Sequence, residues 1–311
     1  MPPTLKEKKV AGALAVVGTV ALDNVKTPSG HKRDLLGGSA AHFSMSARLF
    51  TPVHVVAVVG RDFPEKYTKF LCGKGVNLAS LEKGSGSTFR WDGEYKKEDF
   101  NTALTLATRL GVLESYVPNI SHAHRRLPYV FLANIDPDVQ TALLRKMISP
   151  RFVGLDSMNL WINIKRKSLL SLMKKVHLFV ANDGEARALT GETNLIKAAK
   201  SLRRRGPQFV VIKKGEHGVL FYSDRFMFSY PAYPVETVVD PTGAGDTFAG
   251  GLMGFLSRAQ KLGEKTFRKA IVYATILGSF NVEGFGMAKT APLTMSSVQQ
   301  RMDRFLKFIS I

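Results

Sequence analysis

The sequence predicts an α/β protein: a mainly parallel central sheet between two layers of helices, with a small second β-element beside it. Three observations carry this reading. Short, continuously apolar runs such as Leu14–Gly18 and Phe209–Lys213 suit strands buried on both faces. Amphipathic stretches of helical period separate those runs. One segment, Lys83 to Arg126, breaks the alternation and carries β-formers around a turn signal.

The elements follow in chain order. Leu14–Gly18 is a compact apolar run closed by a glycine. Lys6, Lys8 and Lys9 before the apolar run Val10–Leu22 imitate a secretion signal, but that run holds two glycines and ends at Asp23 without a small-residue cleavage site. It is also too short to span a bilayer, so a buried first strand is expected. A helix over Ala40–Phe50, a strand over Val53–Val59 and a helix over Glu65–Leu71 come next. Beyond the irregular segment, strands at Tyr129–Ala133, Phe152–Leu155, Leu178–Ala181, Phe209–Lys213 and Val219–Tyr222 alternate with helices at Val139–Met147, Lys165–Lys174, Asp183–Leu189 and Leu195–Arg205. Helices over Gly245–Ala259, Lys265–Phe280 and Thr294–Phe308 close the chain. In the irregular segment, Thr88–Tyr95 reads as a hairpin turning at Asp92-Gly93, followed by a helix-like piece at Thr102–Leu113. Such an excursion suits a small antiparallel cover over one end of the sheet, or a surface insertion. No internal repeat or low-complexity tract appears, which argues against solenoids and propellers.

The 311 residues carry 44 Lys+Arg against 25 Asp+Glu, a formal net charge of +19. That predicts attraction to anions without choosing among nucleic acid, a membrane surface and a phosphorylated metabolite. The clusters Lys165-Arg166-Lys167, Lys174-Lys175 and Arg203-Arg204-Arg205 sit in or at the ends of helix-like segments. None is interleaved with stacking aromatics, so a basic solvated surface is expected rather than a nucleic-acid groove or a membrane-bound face. The single cysteine, Cys72, excludes an intrachain disulfide and a cysteine-based zinc site, and suits a reducing, cytoplasmic compartment. His122 and His124 lack partners at zinc-ligand spacing.

The chemistry concentrates in Asp240-Pro241-Thr242-Gly243-Ala244-Gly245-Asp246-Thr247. After Gly245 the pattern turns helical, with Phe248, Leu252, Phe255 and Leu256 on one face. A glycine-rich turn feeding a helix N-terminus aims free amides and the positive dipole end outward, a seat for phosphate oxygens. Asp246 beside such a seat suits a general base acting on a hydroxyl that attacks the phosphoryl group; otherwise it complements the helix dipole. Phe248 breaks the dinucleotide fingerprint, and no Gly-Lys-Ser/Thr is present.

This run closely resembles the C-terminal motif of the ribokinase/PfkB carbohydrate kinases, which include adenosine kinase and fructokinases. Gly37-Gly38-Ser39-Ala40-Ala41-His42-Phe43 resembles the family's N-terminal di-glycine motif, and Gly18 followed by Asp23 its first strand. Asn182 and Glu185 resemble its Asn-x-x-Glu element, and Gly215 with Gly218 its nucleotide loop. The resemblance spans about residues 12–309 and implies a ribokinase-like three-layer α/β/α domain over 10–311. Its β-lid would come mainly from 84–126, with short segments near 19–36. It implies that Asp246 is the base and that Gly243, Ala244 and Gly245 form the anion hole. Asp23, Gly37 and Gly38 would hold sugar hydroxyls, with Phe89 and Trp91 in the lid. ATP would meet Asn182, Lys213, Gly215, Gly218, Thr242 and Ser279; Glu185 would serve Mg²⁺ indirectly, and Asp240 a K⁺ ion. Two departures stand out. His42 replaces an Asn that contacts the sugar, and Lys213-Lys214 replaces Thr-Leu, placing a lysine within reach of a terminal phosphate.

The expected activity is phosphoryl transfer from Mg·ATP to a primary hydroxyl of a furanose sugar or nucleoside. Phe43, His42, Phe89 and Trp91 offer stacking surfaces, which leans the reading toward a nucleoside. A free-sugar kinase is the alternative, and an inactive kinase fold acting as a basic binding protein is a further one. A homodimer through the lid is compatible with either activity.

Overall fold

A computed structural model describes residues 12–310. Lys6, Lys8, Lys9 and Val10 therefore lie outside the described residues. Nine strands form the main sheet: β1 (Leu14–Val17), β4 (Val53–Val59), β5 (Val76–Lys83), β8 (Tyr129–Leu132), β9 (Phe152–Asp156), β10 (Leu178–Asn182), β11 (Phe209–Lys213), β12 (Val219–Tyr222) and β13 (Met227–Tyr230). Their order is β13-β12-β11-β10-β9-β8-β1-β4-β5. All neighbours run parallel except β11–β12 and β12–β13.

Successive residues of each parallel strand enter two different cores, as a sheet covered on both faces requires. Leu14 and Val16 join Phe43, Phe131, Leu252 and Phe267 on one side. Ala15 and Val17 join Leu143, Leu172, Ala186 and Leu202 on the other. The first face is covered by α1 (Ser39–Ala47), α8 (Ala244–Arg258) and α9 (Glu264–Asn281), with α10 (Met295–Ile309) outside α9. The second is covered by α3 (Pro137–Lys146), α5 (Arg166–Met173), α6 (Asp183–Thr190) and α7 (Leu195–Arg204). The chain reverses its direction of build-out between β1 and β8, and the carboxyl ends of strands at such a reversal frame a ligand crevice.

A second sheet rises from the carboxyl end of β1. It contains β2 (Ala21–Thr27), β3 (Gly30–Gly37), β6 (Arg90–Lys96) and β7 (Asp99–Arg109), in the order β3-β2-β6-β7. Two sequence expectations are corrected here. Thr102–Leu113 is mostly strand, not helix, and the hairpin turns at Lys97-Glu98 rather than Asp92-Gly93. The register of β6 on β7 shifts between Asp92 and Gly93, and a Cβ on Gly93 would lie 2.0 Å from the Trp91 ring. Gly93 thus makes room for an indole within a strand.

Helix α8 reaches the crevice because α1 and α8 pack unusually closely. A Cβ on Gly250 would stand 2.1 Å from the Phe43 carbonyl oxygen, which is backbone and cannot yield. Gly250→Ala should therefore cost about 3 kcal/mol, the upper end of core overpacking, read as a lower thermal midpoint. Gly73→Ala, where a Cβ meets nothing within 4 Å, should leave the midpoint unchanged or raise it.

Candidate active site

The glycine turn ends where α8 begins. Gly243 takes φ 75°, the left-handed region that glycine tolerates, and a Cβ there would lie 2.3 Å from the His42 ring. The Ala244 amide turns inward to the Pro241 carbonyl at 3.1 Å. Among the described residues, no backbone acceptor takes the amides of Gly243, Gly245 and Asp246. The open donors are therefore these three rather than the expected set of Gly243, Ala244 and Gly245. They sit at the positive end of a 15-residue helix.

Two buried side chains lock this turn. Asn281, at the end of α9, donates from Nδ2 to the Thr242 carbonyl at 2.8 Å, and its Oδ1 accepts from Thr247 Oγ1 at 2.9 Å. His42 Nδ1 also reaches that Oδ1, at 3.2 Å, so the imidazole carries its proton on Nδ1. Asp240 accepts from the Thr242 amide at 2.9 Å and from the Gly286 amide at 3.0 Å. Both Asn281 and Asp240 are fully buried.

Acidic groups gather around the turn. Asp246, half-buried at the start of α8, has its carboxyl pushed up to about 7 by burial and then by Asp156, against the pull of Lys213. Glu185 is pushed up to about 8 by burial and by Asp156. It also closes a capping box: the Asn182 side chain accepts from the Glu185 amide, and Glu185 accepts from the Asn182 amide, each at 2.7 Å. The Asn-x-x-Glu element thus also caps α6 (Asp183–Thr190) at the carboxyl end of β10. Lys213, at the end of β11, pairs with Asp156 at 3.3 Å. A Cβ on Gly245 would lie 2.8 Å from its Nζ, so the ammonium sits against Gly245 in the first turn of α8.

Asp23 lies on the second sheet, and burial pushes its carboxyl up to about 7. A Cβ on Gly37 would stand 1.8 Å from its Oδ2, and Gly38 (φ 94°) would meet the Thr19 carbonyl oxygen at 2.4 Å. The di-glycine motif is therefore needed for the close approach of Asp23 and of the chain after β1. Trp91 is the cross-strand partner of Asp23 and shares its face, with Nε1 donating to Thr105 Oγ1 at 3.1 Å. Tyr95, four residues further along β6 on that face, has its buried phenol pushed up by desolvation, with Thr242, Asp240, Asp23 and Asp246 nearby. Phe89 is half-buried, and its carbonyl ties β6 to Leu22 at 3.0 Å.

Several expected residues land differently. His42 is 2 % exposed beneath Gly243; it buttresses the turn and does not open onto a crevice. Ser279 is buried, its hydroxyl taken by the Ile276 carbonyl and Arg301, so it faces α10. Asp240 spends an oxygen on each of two amides, so its observed role is to clamp the turn. Gly215 (φ 55°) and Gly218 (φ 87°) do form a tight loop after β11, and a Cβ on Gly218 would strike the Tyr230 carbonyl oxygen at 2.0 Å. Sequence reasoning missed Asp156, Asn281, Thr247 and Tyr95. Asp156 had a visible signal, an acid closing the apolar strand Phe152–Leu155 at its carboxyl end.

The oxygen-rich set fits a nucleotide with its divalent metal: a cradle that Cβ atoms would fill, a basic group above it, and carboxylates of a kind that suits Mg²⁺. Among the described residues, no cluster of three or more His, Cys, Asp or Glu forms a ready-made metal site. Folding holds Asp23, Glu185 and Asp246 partly protonated near neutrality, so this contribution to stability is complete below about pH 4 and fades as pH rises through 7–8. Above pH 6.5 the buried histidines no longer oppose it. Asp246→Asn should accordingly reduce the stability lost between pH 6.5 and 8.5, by on the order of 1 kcal/mol in thermal unfolding.

The sequence matches the profile of the pfkB family of carbohydrate kinases over residues 17–293. It is 30% identical over 259 residues to the cytidine kinase of Thermococcus kodakarensis, covering 81% of this chain and 91% of that protein. The solved aminoimidazole riboside kinase from Salmonella enterica, complexed with aminoimidazole riboside and an ATP analog, superposes at a TM-score of 0.75 with 20% identity, covering 93% and 99% of the two chains. A putative ribokinase II from E. coli in complex with ATP and Mg²⁺ superposes at 0.77 with 17% identity, covering 94% and 99%.

Proposed function

The chain belongs to the pfkB family of carbohydrate kinases, and from that premise we propose that its acceptor is a ribonucleoside. It is an ATP-dependent kinase with the ribokinase-like fold, acting on a sugar or nucleoside. No helix among the described residues is long and apolar enough to cross a membrane. The second sheet is the lid of this reading, and the crevice beneath it the acceptor site.

One observation carries the nucleoside assignment: Trp91 stands beside Asp23 on the lid's inner face. Asp23 suits the paired hydroxyls of a ribose, and the indole offers a flat surface for the attached base. Thermococcus kodakarensis cytidine kinase and the aminoimidazole riboside kinase act on ribosides, in line with this choice. A free sugar would use Asp23 and leave the indole without a partner.

Asp246 takes the proton from the acceptor's primary hydroxyl as that oxygen bonds to the terminal phosphorus and the bridging bond to the departing diphosphate breaks. Its carboxyl, poised near 7, is matched to that task at neutral pH. The amides of Gly243, Gly245 and Asp246 stabilise charge on the moving group. Lys213 meets the phosphates from above, and the Gly215–Gly218 loop with Asn182 holds the rest of the nucleotide. Mg²⁺, when bound with ATP, supplies charge neutralisation; Glu185 would hold it through its hydration shell. A K⁺ ion at Asp240 would use the lone pairs left by the two amides. Leu104 and Leu106 are exposed on β7 at the lid's outer edge, which suits pairing with a second copy. The exposed thiol of Cys72 suits a reducing cytoplasm.

Asp246→Asn should lower kcat by at least ~100-fold while ADP still binds, since a general base is worth roughly 10²–10⁴-fold. Assays with ATP against adenosine, cytidine, inosine, ribose and fructose should give the highest kcat/KM for a nucleoside. Trp91→Ala should raise its KM about tenfold with little change in kcat, as loss of stacking binds ground and transition states equally less. A strict preference for a free sugar would reject the nucleoside assignment.

A further inference from the structure

Lys213 sits in an electrostatically awkward place. Its ammonium hangs over Gly245, at the positive end of α8, where a cation is disfavoured by the helix dipole. Its side chain is 18% exposed, so water does little to relieve the contact. What holds it there is Asp156, whose carboxylate lies 3.3 Å from Nζ and whose side chain is 5% exposed. Asp156 is itself fixed by the Ser157 amide at 2.7 Å to Oδ1, and its backbone carbonyl accepts from the buried Gln140 at 3.1 Å. The structure therefore holds two positive groups, an ammonium and a helix N-terminus, close together with an acid tether on the ammonium. An anion placed between them relieves the conflict. The phosphoryl group of the proposed reaction is such an anion.

We propose that Asp156 is a positioning residue for phosphoryl transfer, aiming the Lys213 ammonium across the amide cradle and setting the local charge in which Asp246 works. This rests on the reading of Asp246 as the base. Lys213 keeps its proton: burial pulls its affinity down, but Asp156, Glu185 and Asp246 together more than offset this. Asp246 feels the pair with opposite signs, Asp156 pushing its carboxyl up and Lys213 pulling it down. The other groups around this cluster are Glu185 from α6, Asp23 from β2, Tyr95 from β6, His42 from α1 and the clamp Asp240. None of them touches both Lys213 and Asp156 by an ion pair.

The test is the acid limb of the kcat/KM–pH profile, with wild type expected to turn near pH 7. Asp156→Asn should move the limb to lower pH by about half a unit or more and lower kcat, since one repelling charge at this range is worth that much. Lys213→Met should move it to higher pH and weaken metal-free ADP binding by about tenfold, measured by calorimetry. A residue with only a structural role would lower activity without moving the limb. Unmoved limbs, or limbs moving in the same direction, overturn the proposal. Should Asp156→Asn fail to fold, the Lys213→Met limb and its ADP affinity decide alone. Asp246→Asn separates the two readings. An inactive Asp246→Asn beside an unmoved Asp156→Asn limb rejects only the role of Asp156, whereas an active Asp246→Asn rejects the base and this proposal together.

Discussion

The site depends on one buried hydrogen-bonding hub. Asn281 holds Thr242 and Thr247, which flank the turn at the head of α8, and orients His42 beneath the turn. Asp240 adds a second clamp by joining the turn to the Gly286 amide. Both side chains are wholly buried, so any loss of partners would leave polar groups unsatisfied in the interior. That penalty fixes the backbone in a conformation in which three amides point outward with no internal acceptor. The openness of the cradle is therefore a product of how completely its back is satisfied.

The same logic extends to charge. Asp23, Asp156, Glu185 and Asp246 are crowded at the carboxyl rim of the sheet with one ammonium among them. Burial raises the proton affinity of each carboxyl, which makes the folded state a poorer host for their ionised forms. Elsewhere the chain carries a large positive excess, +19 in total. An acidic rim within a basic molecule suits a polyanion accompanied by a divalent cation: the global field attracts the polyanion, and the rim's carboxylates would be the groups to meet the cation.

Much of the fold was legible because strands buried on both faces must be apolar throughout. Tyr129–Leu132, Leu178–Ala181 and Phe209–Ile212 read as strands because they are short, continuously apolar and rich in aromatic and β-branched residues. The second sheet was less legible because it is exposed on one side and built from polar residues. In β7 the Ala and Leu residues suit a helix while the Thr residues suit a strand, and pairing with β6 decides between them. Asp92-Gly93 has the composition of a turn, yet its glycine makes room for the Trp91 ring two residues earlier in the same strand. At the site, local motifs were readable and long-range partners were not. Asp246 and the glycines announce themselves by spacing. Asn281 is a lone amide near the end of a helix, and its meaning appears only when residues about 40 positions away in the chain return to it. His42 illustrates the converse: a residue at a substrate-contact position by motif was drawn under the turn by packing.

The lid and the nucleotide loop are usefully considered as one body. The β6–β7 hairpin carries Trp91 near its base and Tyr95 near its turn, and just past that turn Asn101 donates from Nδ2 to Glu216 in the loop after β11. A Cβ on Gly215 would displace the exposed Asn101 amide, and the residue's φ of 55° already favours glycine there. Asp99 stiffens the hairpin end by accepting the amides of Asn101 and Thr102 at 2.8 and 3.1 Å. A single strand pair thus links the strand that carries Asp23 to the loop after β11. In-line transfer demands that the attacking and departing oxygens be held at a fixed separation. In the reaction proposed above, a hairpin paired with β2 along β6 and bonded through Asn101 to the loop after β11 would help to hold that separation, which gives a physical reason for a sheet, rather than a flexible loop, to cover this site.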